Sequence, residues 1–221
     1  MQRTCDIFFS LLAIILLSPF LILISIILKF TGEGEILFKQ DRVGKKKKLF
    51  KVYKFATMLK NSPLIGSKTI TLYNDNRILP LGFILRKTKI NELPQLFNIF
   101  LGDMSVVGPR PLTEENFSKY NKIDQAFISQ VTPGLSGVGS IIFRNEEKVL
   151  LSNEHSREFY DKVISPYKSK LERWYIKKKS IKIYFLIIFL TLWVIFFSKS
   201  NLIWKIFTDL PNIPDELKDR L

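Results

Sequence analysis

An amide and a carboxylate stand side by side in the stretch "RKTKINELPQLFNIFLGDMSVVGPRPL". They are Asn91 and Glu92, and apolar residues follow them at helical spacing, which predicts a helix that begins at Asn91. Pro94 would fall in the first turn, where its missing N–H does little harm. Asparagine is among the preferred N-cap residues, so the simplest interpretation of Asn91 is a helix cap.

The same stretch places Arg110 between Pro109 and Pro111. The two prolines restrict the backbone to an extended form, so the guanidinium would be presented with little freedom left to lose. Its planar fork suits phosphate oxygens. Arg86 and Arg144 would complete a diphosphate pocket if the fold brought them together. Spacing alone favours a plainer reading, an exposed arginine in a proline-rich turn.

The overall charge and the few metal-binding side chains restrict the class of protein. The chain of 221 residues has 34 Lys and Arg against 20 Asp and Glu, a net charge of +14. With one cysteine, Cys5, and one histidine, His155, it forms no internal disulfide and no Cys/His zinc site. A metal ion would need oxygen ligands, which points to magnesium-like ions.

Much of the basic charge lies in two runs, residues 44–51 and 175–182, next to apolar segments. Such flanks mark the cytoplasmic side of a membrane and attract anionic lipid. A nucleic-acid binder is the alternative. It rests on charge alone, because no zinc spacing, RNP-like strand or basic heptad array accompanies the charge, so we expect no nucleic-acid partner.

The segment from Ile7 to Leu28 has no charged residue, and ~20 such residues cover the hydrocarbon layer of a bilayer. We favour a retained anchor over a cleaved signal peptide, whose apolar region is only ~7–15 residues. Ser18-Pro19 must kink a helix there, giving a kinked spanning helix or a re-entrant one; the residues alone slightly favour the spanning form. A shorter apolar run, Ile183–Phe197, suits an interfacial or buried helix.

The patterns predict an α+β fold that is mainly helical with a small sheet. We expect a membrane anchor over residues 1–30, a cytoplasmic domain over 31–180 and an interfacial helix with a tail over 181–221. The local predictions are two strands around Val43-Gly44, a helix from Ile78 through "LGFILRKT", a helix over 114–130 capped by Thr113, a turn at "TPGLSG", a strand at "VGSIIF" and a helix broken at Ser165-Pro166.

The central stretch closely resembles the signature of the bacterial sugar transferases, the monotopic phosphoglycosyl transferases that start glycan assembly on polyprenyl phosphate. The segments "LLSPFLILISIILKFTGEGEILFKQDRVG", "FKVYKFATM", "VTPGLSG" and "ERWYIKKKS" have counterparts in the same order. The short pieces are weak signals by themselves, whereas the central stretch is long and specific.

The resemblance implies transfer of a phosphosugar from a UDP-sugar to polyprenyl phosphate through a covalent intermediate, initiating exopolysaccharide, O-antigen, capsule or glycoprotein glycan assembly. It places the catalytic pair at Asn91 and Glu92, with Mg²⁺ near Glu92. It also implies a re-entrant hairpin at Ser18 and Pro19 on the cytoplasmic face of the bacterial inner membrane. The positions that match phosphate- or substrate-binding residues are Arg86, Pro109, Arg110, Pro111, Arg144 and Glu172.

The chain departs from the family where the nucleophile should be, because the family has aspartate at the position of Asn91. A neutral amide is a poor nucleophile towards phosphorus, so we expect little or no turnover. Attack by Glu92 is disfavoured, since one residue along a helix turns the side chain by ~100°. The alternative is a silent pseudoenzyme that binds nucleotide sugar or lipid phosphate, or that partners an active transferase.

Further departures are Ala56 for an arginine and Tyr184 for an aspartate. The sequence does not distinguish a natural Asn91 from an introduced one. It does not identify the sugar, and we expect the loops 60–76 and 138–150 to determine which sugar is bound. It also leaves open whether the protein is a homodimer.

Overall fold

The computed structural model describes residues 1–65, 75–151, 156–198, 200–218 and 220–221. His155 and much of the loop 60–76, one of the two loops expected to be specific for the sugar, lie outside the described residues. Helices predominate over two small sheets, which confirms the predicted class. The strands are β1 Leu37–Val43, β2 Leu49–Phe55, β3 Ser105–Val107 and β4 Gly134–Ser136. The helices are α1 Gln2–Lys29, α2 Pro80–Lys87, α3 Gln95–Leu101, α4 Glu114–Ser118, α5 Lys122–Ile128, α6 Val138–Ile142, α7 Glu146–Leu151, α8 Ser156–Phe159, α9 Ser165–Lys178, α10 Ile181–Phe196 and α11 Leu202–Ile206.

The two sheets each have two strands. β1 and β2 pair antiparallel, as predicted around Val43-Gly44, and their register pairs Val43 with Leu49. β3 and β4 pair parallel, so the predicted turn at "TPGLSG" contains a short strand. Gly134 is required there because a Cβ would lie 2.0 Å from the amide nitrogen of Gly108. This close approach fixes the start of the loop that carries Arg110.

The predicted strand at "VGSIIF" is wrong, because these residues form α6. The amide of Ile141 donates to the carbonyl of Gly137 at 3.0 Å, and that of Phe143 donates to Gly139 at 3.0 Å. Val138 and Ile141 are buried in the main core. A short apolar run fits a buried helix as well as a strand, and here packing decides in favour of the helix.

The predicted helix over 114–130 is two helices, α4 and α5. Thr113 caps α4 as predicted, since its Oγ1 accepts a hydrogen bond from the amide of Asn116. The chain leaves the helix after Ser118 because Asn121 caps α5, its Oδ1 accepting from the amide of Asp124 at 2.8 Å. A second cap inside the predicted helix therefore divides it.

No helix break occurs at Ser165-Pro166. A π-helical turn over Tyr160–Ile164 leads directly into α9, and Pro166 lies in the first turn of α9. A proline there removes an N–H that the helix start does not need. The irregularity thus falls just before the predicted position, and the helix continues.

Among the described residues, α1 is the one helix long and apolar enough to cross a membrane. It runs unbroken through Pro19, and the Ser18 hydroxyl donates to the carbonyl of Ile15 at 2.8 Å. Near its start, Arg3 donates to the last carbonyls of α3. Near its end, Leu28 packs in a buried cluster with Phe55. Both ends of α1 therefore contact the same folded body.

The largest core cluster lies between α9 and α10. Leu171 and Tyr175 of α9 and Ile187 and Leu190 of α10 are almost completely buried. The opposite face of α10 is apolar but exposed, with Phe185, Phe189 and Phe196 on it. One buried face and one exposed apolar face agree with the predicted interfacial or buried helix.

A buried carboxylate joins α1, β3 and α10. Asp6 is 3% exposed, and its Oδ1 accepts hydrogen bonds from the amide of Val106 at 2.9 Å and the hydroxyl of Tyr184 at 2.8 Å. Its Oδ2 accepts from the hydroxyl of Ser105 at 2.8 Å. Tyr184 is therefore a hydrogen-bond donor to Asp6 in this chain.

Asp6→Ala should lower the free energy of unfolding by about 2–4 kcal/mol, because it leaves buried donors on β3 and α10 without an acceptor. Tyr184→Phe, which removes one donor, should cost about 1 kcal/mol. Thermal and denaturant unfolding in detergent measures both. Thr4→Ala is the control, since Thr4 is exposed on the same helix. An equal loss in Thr4→Ala would contradict the assigned role of Asp6.

Candidate functional site

Asn91 lies inside a 3-10 turn, Ile90–Glu92, that connects α2 to α3. Lys89 before it has a left-handed backbone, φ 62°, and accepts a hydrogen bond from the amide of Glu92 at 3.1 Å. Lys89 is thus the N-cap residue of this turn. Asn91 is 5% exposed and its Oδ1 accepts no hydrogen bond. The prediction that Asn91 caps a helix is therefore wrong.

The carboxylate of Glu92 is held between two cations. Its Oε1 accepts a hydrogen bond from Lys54 Nζ at 2.9 Å and from Arg110 Nη2 at 2.6 Å. Burial by itself would raise the pKa of Glu92, but the charges of Arg110 and Lys54 outweigh it and hold that pKa well below its ordinary value. Glu92 is therefore an anion across the physiological range.

The three predicted arginines converge on one cavity of about 240 Å³. Arg86, Arg110 and Arg144 line it together with Asn91 and Glu92. Arg86 Nη2 lies 3.2 Å from a carboxylate oxygen of Glu147, and its Nε has no hydrogen-bond partner. The structure therefore brings all three arginine side chains to one cavity, whereas diphosphate binding there stays a prediction.

The cavity also contains cations that the sequence reasoning missed. Arg42, Lys54, Lys89 and Lys168 line it, against the carboxylates of Glu92, Glu146 and Glu147. Burial, with the charge of Arg110, lowers the pKa of Arg42 to about 10. Strand alternation was the available signal for part of this set, because Phe38, Gln40 and Arg42 follow one another at every second residue of β1 and all line the cavity.

Pro109 and Pro111 restrict the backbone of the loop after β3 that carries Arg110, called the arginine loop from here on. Neither proline lines this cavity. The carbonyl of Pro109 accepts a hydrogen bond from the amide of Gly134 at 2.8 Å. The carbonyl of Pro111 accepts one from Arg42 Nη1 at 3.2 Å. Both flanks of Arg110 are thereby fixed to neighbouring segments.

Glu172 of α9 contacts the backbone at Arg110 and does not line the cavity that contains Asn91 and Glu92. Its carboxylate interacts with the backbone N–H of Arg110, it is 4% exposed, and its Oε2 has no hydrogen-bond partner. Burial raises the pKa of Glu172 to about 7. A Cβ on Gly139 would lie 2.6 Å from its Oε1, so the glycine leaves room for this carboxyl. Glu172 therefore contacts the loop that carries Arg110 from outside this cavity.

Comparison with known proteins identifies the family. A family model described as bacterial sugar transferase matches residues 1–198. The exopolysaccharide production protein PSS of Rhizobium leguminosarum bv. phaseoli is 47% identical over 110 residues, 50% of this chain and 55% of that protein. The UDP-glucose:undecaprenyl-phosphate glucose-1-phosphate transferase of Klebsiella pneumoniae is 36% identical over 203 residues, 90% of this chain and 41% of that protein. The chain belongs to the bacterial sugar transferase family.

The chain thus spans about half or less of the length of these two relatives, and it spans 70% of the exopolysaccharide production protein ExoY of Sinorhizobium fredii, which is 34% identical over 66% of this chain. The resemblance seen in the central stretch is confirmed at the level of the family.

The donor set of the sugar transferase fits a metal ion only in one way. Within the described residues, no group of three or more His, Cys, Asp or Glu side chains is close enough together to hold a metal ion. The predicted magnesium ligand, Glu92, already accepts hydrogen bonds from two cations. One carboxylate suits Mg²⁺ when substrate phosphates supply further oxygens. The residues therefore fit an ion held jointly with a diphosphate.

Anion binding by the sugar transferase should weaken as pH rises through about 8. Burial lowers the pKa of Lys54 to about 8, so the ammonium is charged below that pH and loses its proton above it. A bound diphosphate favours the charged form, so affinity falls as Lys54 deprotonates. Calorimetric titration with UDP from about pH 7 to about pH 9 measures this. Lys54→Arg should flatten the profile, because arginine stays charged; an unchanged slope would contradict the assignment.

Proposed function

We propose that this sugar transferase binds a UDP-sugar and polyprenyl phosphate at a membrane surface, on a scaffold for moving the phosphosugar from the first to the second. The observation that carries the proposal is the convergence of Asn91, Glu92 and three arginines on one cavity. Surplus positive charge suits a diphosphate, and arginine binds phosphate oxygens in pairs. The names of the relatives, which include a UDP-glucose:undecaprenyl-phosphate glucose-1-phosphate transferase, support the same substrates.

With an aspartate at position 91, the chemistry would have two displacements. A carboxylate oxygen attacks the phosphorus nearest the sugar, the bond from that phosphorus to the UMP oxygen breaks, and UMP leaves with the electron pair. An oxygen of polyprenyl phosphate then attacks the phosphorus on the carboxylate, which releases the lipid diphosphosugar and restores the aspartate. Arg86, Arg110 and Arg144 would bind the phosphates. A Mg²⁺ shared by Glu92 and the diphosphate would neutralise further charge.

The chain as it stands has an amide at that position, which favours a second candidate function. Asn91 has no negative charge with which to attack phosphorus, and Glu92 is already held by Lys54 and Arg110. The cavity retains its arginines, so substrate binding does not need the missing carboxylate. We therefore propose binding of nucleotide sugar with little or no turnover.

The packing of both ends of α1 on the folded domain supports a monotopic anchor. The re-entrant hairpin at Ser18-Pro19 that we propose requires α1, which is continuous through Pro19 here, to bend at that point in the membrane. A spanning helix would carry one end about 30 Å across the bilayer, away from the domain. Here the segment around Arg3 and Asp6 contacts α3 and β3, while Leu28 packs against β2. The exposed lysines of residues 45–48 suit anionic lipid, which favours the cytoplasmic face of the inner membrane.

Asn91→Asp should create phosphosugar transfer. We expect UMP release from a matching UDP-sugar, in the presence of Mg²⁺ and polyprenyl phosphate, to rise by about three orders of magnitude or more over the unaltered chain. Without the acceptor, intact-protein mass spectrometry should detect one phosphosugar on the variant. Asn91→Ala is the matched control and should do neither.

The outcomes separate the two candidate functions. An adduct on the unaltered chain would exclude the silent form. If the Asn91→Asp protein neither binds nor cleaves any member of a broad UDP-sugar panel, the transferase proposal is wrong.

Arg110→Ala should weaken UDP-sugar binding to the unaltered chain by about tenfold or more, because it removes a charged hydrogen-bond donor from the cavity. Isothermal titration calorimetry measures the dissociation constant. Arg157→Ala is the control, since Arg157 pairs with Glu115 and Asp161 outside the cavity. A similar loss in both variants would indicate a general charge effect and count against a specific site.

A further inference from the structure

A second cavity, of about 410 Å³, adjoins the first on its α10 side. Glu92, Arg110 and Lys168 line both cavities, so the two meet at the charged centre of the site. Away from that centre, the second cavity is lined mainly by aliphatic side chains of the 3-10 turn, α6 and α10. It is therefore charged at one end and apolar at the other.

The charged end is built from buried side chains. Lys168 is 8% exposed and is paired with Glu146, and its Nζ lies 5.0 Å from the ring centre of Phe143. Glu172, 4% exposed, lines the same cavity. The Ser140 hydroxyl is buried and has no hydrogen-bond partner among the described residues. This end offers the positive charge of Arg110 and Lys168 and a free hydroxyl donor to a ligand headgroup.

The apolar end opens at α10. Leu192 and Ile195 line the cavity, yet they are 54% and 51% exposed, so they form its mouth. Phe189 and Phe196, on the same helix, are exposed beside this mouth and do not line the cavity. An apolar ligand could therefore pass from the surface of α10 into the cavity without crossing a polar wall.

We propose that the second cavity binds the hydrocarbon chain of the lipid phosphate acceptor, with its phosphate at Arg110 and Lys168 and its first prenyl units between the 3-10 turn and α10. This inference rests on the proposed function, and it adds where the acceptor lies and which residues contact its chain. The aliphatic walls suit a prenyl chain and not a sugar or a nucleotide, which need hydrogen-bonding partners. Donor and acceptor thus approach the same arginine from different cavities.

The test measures binding of geranylgeranyl phosphate, geranyl phosphate and inorganic phosphate to the full chain in detergent micelles. The unaltered protein should bind geranylgeranyl phosphate most tightly. Leu192→Gln should weaken that binding about tenfold, the effect of losing one apolar side-chain contact, and leave inorganic phosphate binding unchanged. Phe189→Gln, 48% exposed on the same helix but outside the cavity, is the matched control and should bind like the unaltered chain.

Equal losses in the two variants, or no loss in Leu192→Gln, would overturn the assignment. A second measurement needs no variant: a prenyl phosphate carrying a diazirine on its chain should label α10 around residues 188–195 in the unaltered protein, and labelling confined to α1 would overturn it. UDP-sugar binding is measured on the same samples. If UDP-sugar binds while the prenyl results fail, only the acceptor site is wrong; if no UDP-sugar binds, the proposed function fails separately.

Discussion

The site depends on the partly buried ion pairs of Glu92 with Lys54 and Arg110. A carboxylate taken out of water is costly unless cations and hydrogen bonds compensate it. Here the compensating cations come from β2 and from the loop after β3, while the carboxylate comes from the turn before α3. Three segments distant in sequence are joined by one carboxylate oxygen, and the cavity forms where they meet.

The other cationic side chains that line the cavity outnumber the other carboxylates that line it. The charges of Arg42 and Arg110 oppose protonation of Lys54, which helps to lower its pKa. A bound diphosphate would relieve this repulsion. Asparagine at position 91 adds to the imbalance, because an aspartate there would contribute one more negative charge. An amide at position 91 therefore leaves the cavity better suited to retain an anion.

The sequence predicts the features that local chemistry determines. The apolar α1, the β1–β2 hairpin and the Thr113 cap depend on composition and near neighbours, and the structure contains all three. α6 was mistaken for a strand because its helical state depends on packing against α9, and the role of Asn91 was misjudged because Lys89 adopts a left-handed backbone. Within the site, the flanking prolines made Arg110 a candidate, although spacing alone favoured an exposed arginine in a turn.

Strand alternation places Arg42 on one face of β1 but does not show what that face covers, and Lys54 carries no local motif. The place of both residues in the cavity follows from strand pairing and from the position of Glu92. The same limit applied to Arg86 and Arg144, whose convergence the spacing could not decide. Residues that function through contacts between distant segments become visible only when the fold is known.

The proposed membrane helix and the proposed phosphate site share β3. Asp6 of α1 holds the backbone amide of Val106 and the hydroxyl of Ser105, and Arg110 follows three residues after Val107, where β3 ends. Tyr184 of α10, a helix that lines the second cavity, donates a hydrogen bond to the same carboxylate. Because these contacts are buried and hydrogen-bonded, α1 cannot shift relative to the body without disturbing the strand that carries the arginine loop. α1 is thus a structural part of the site.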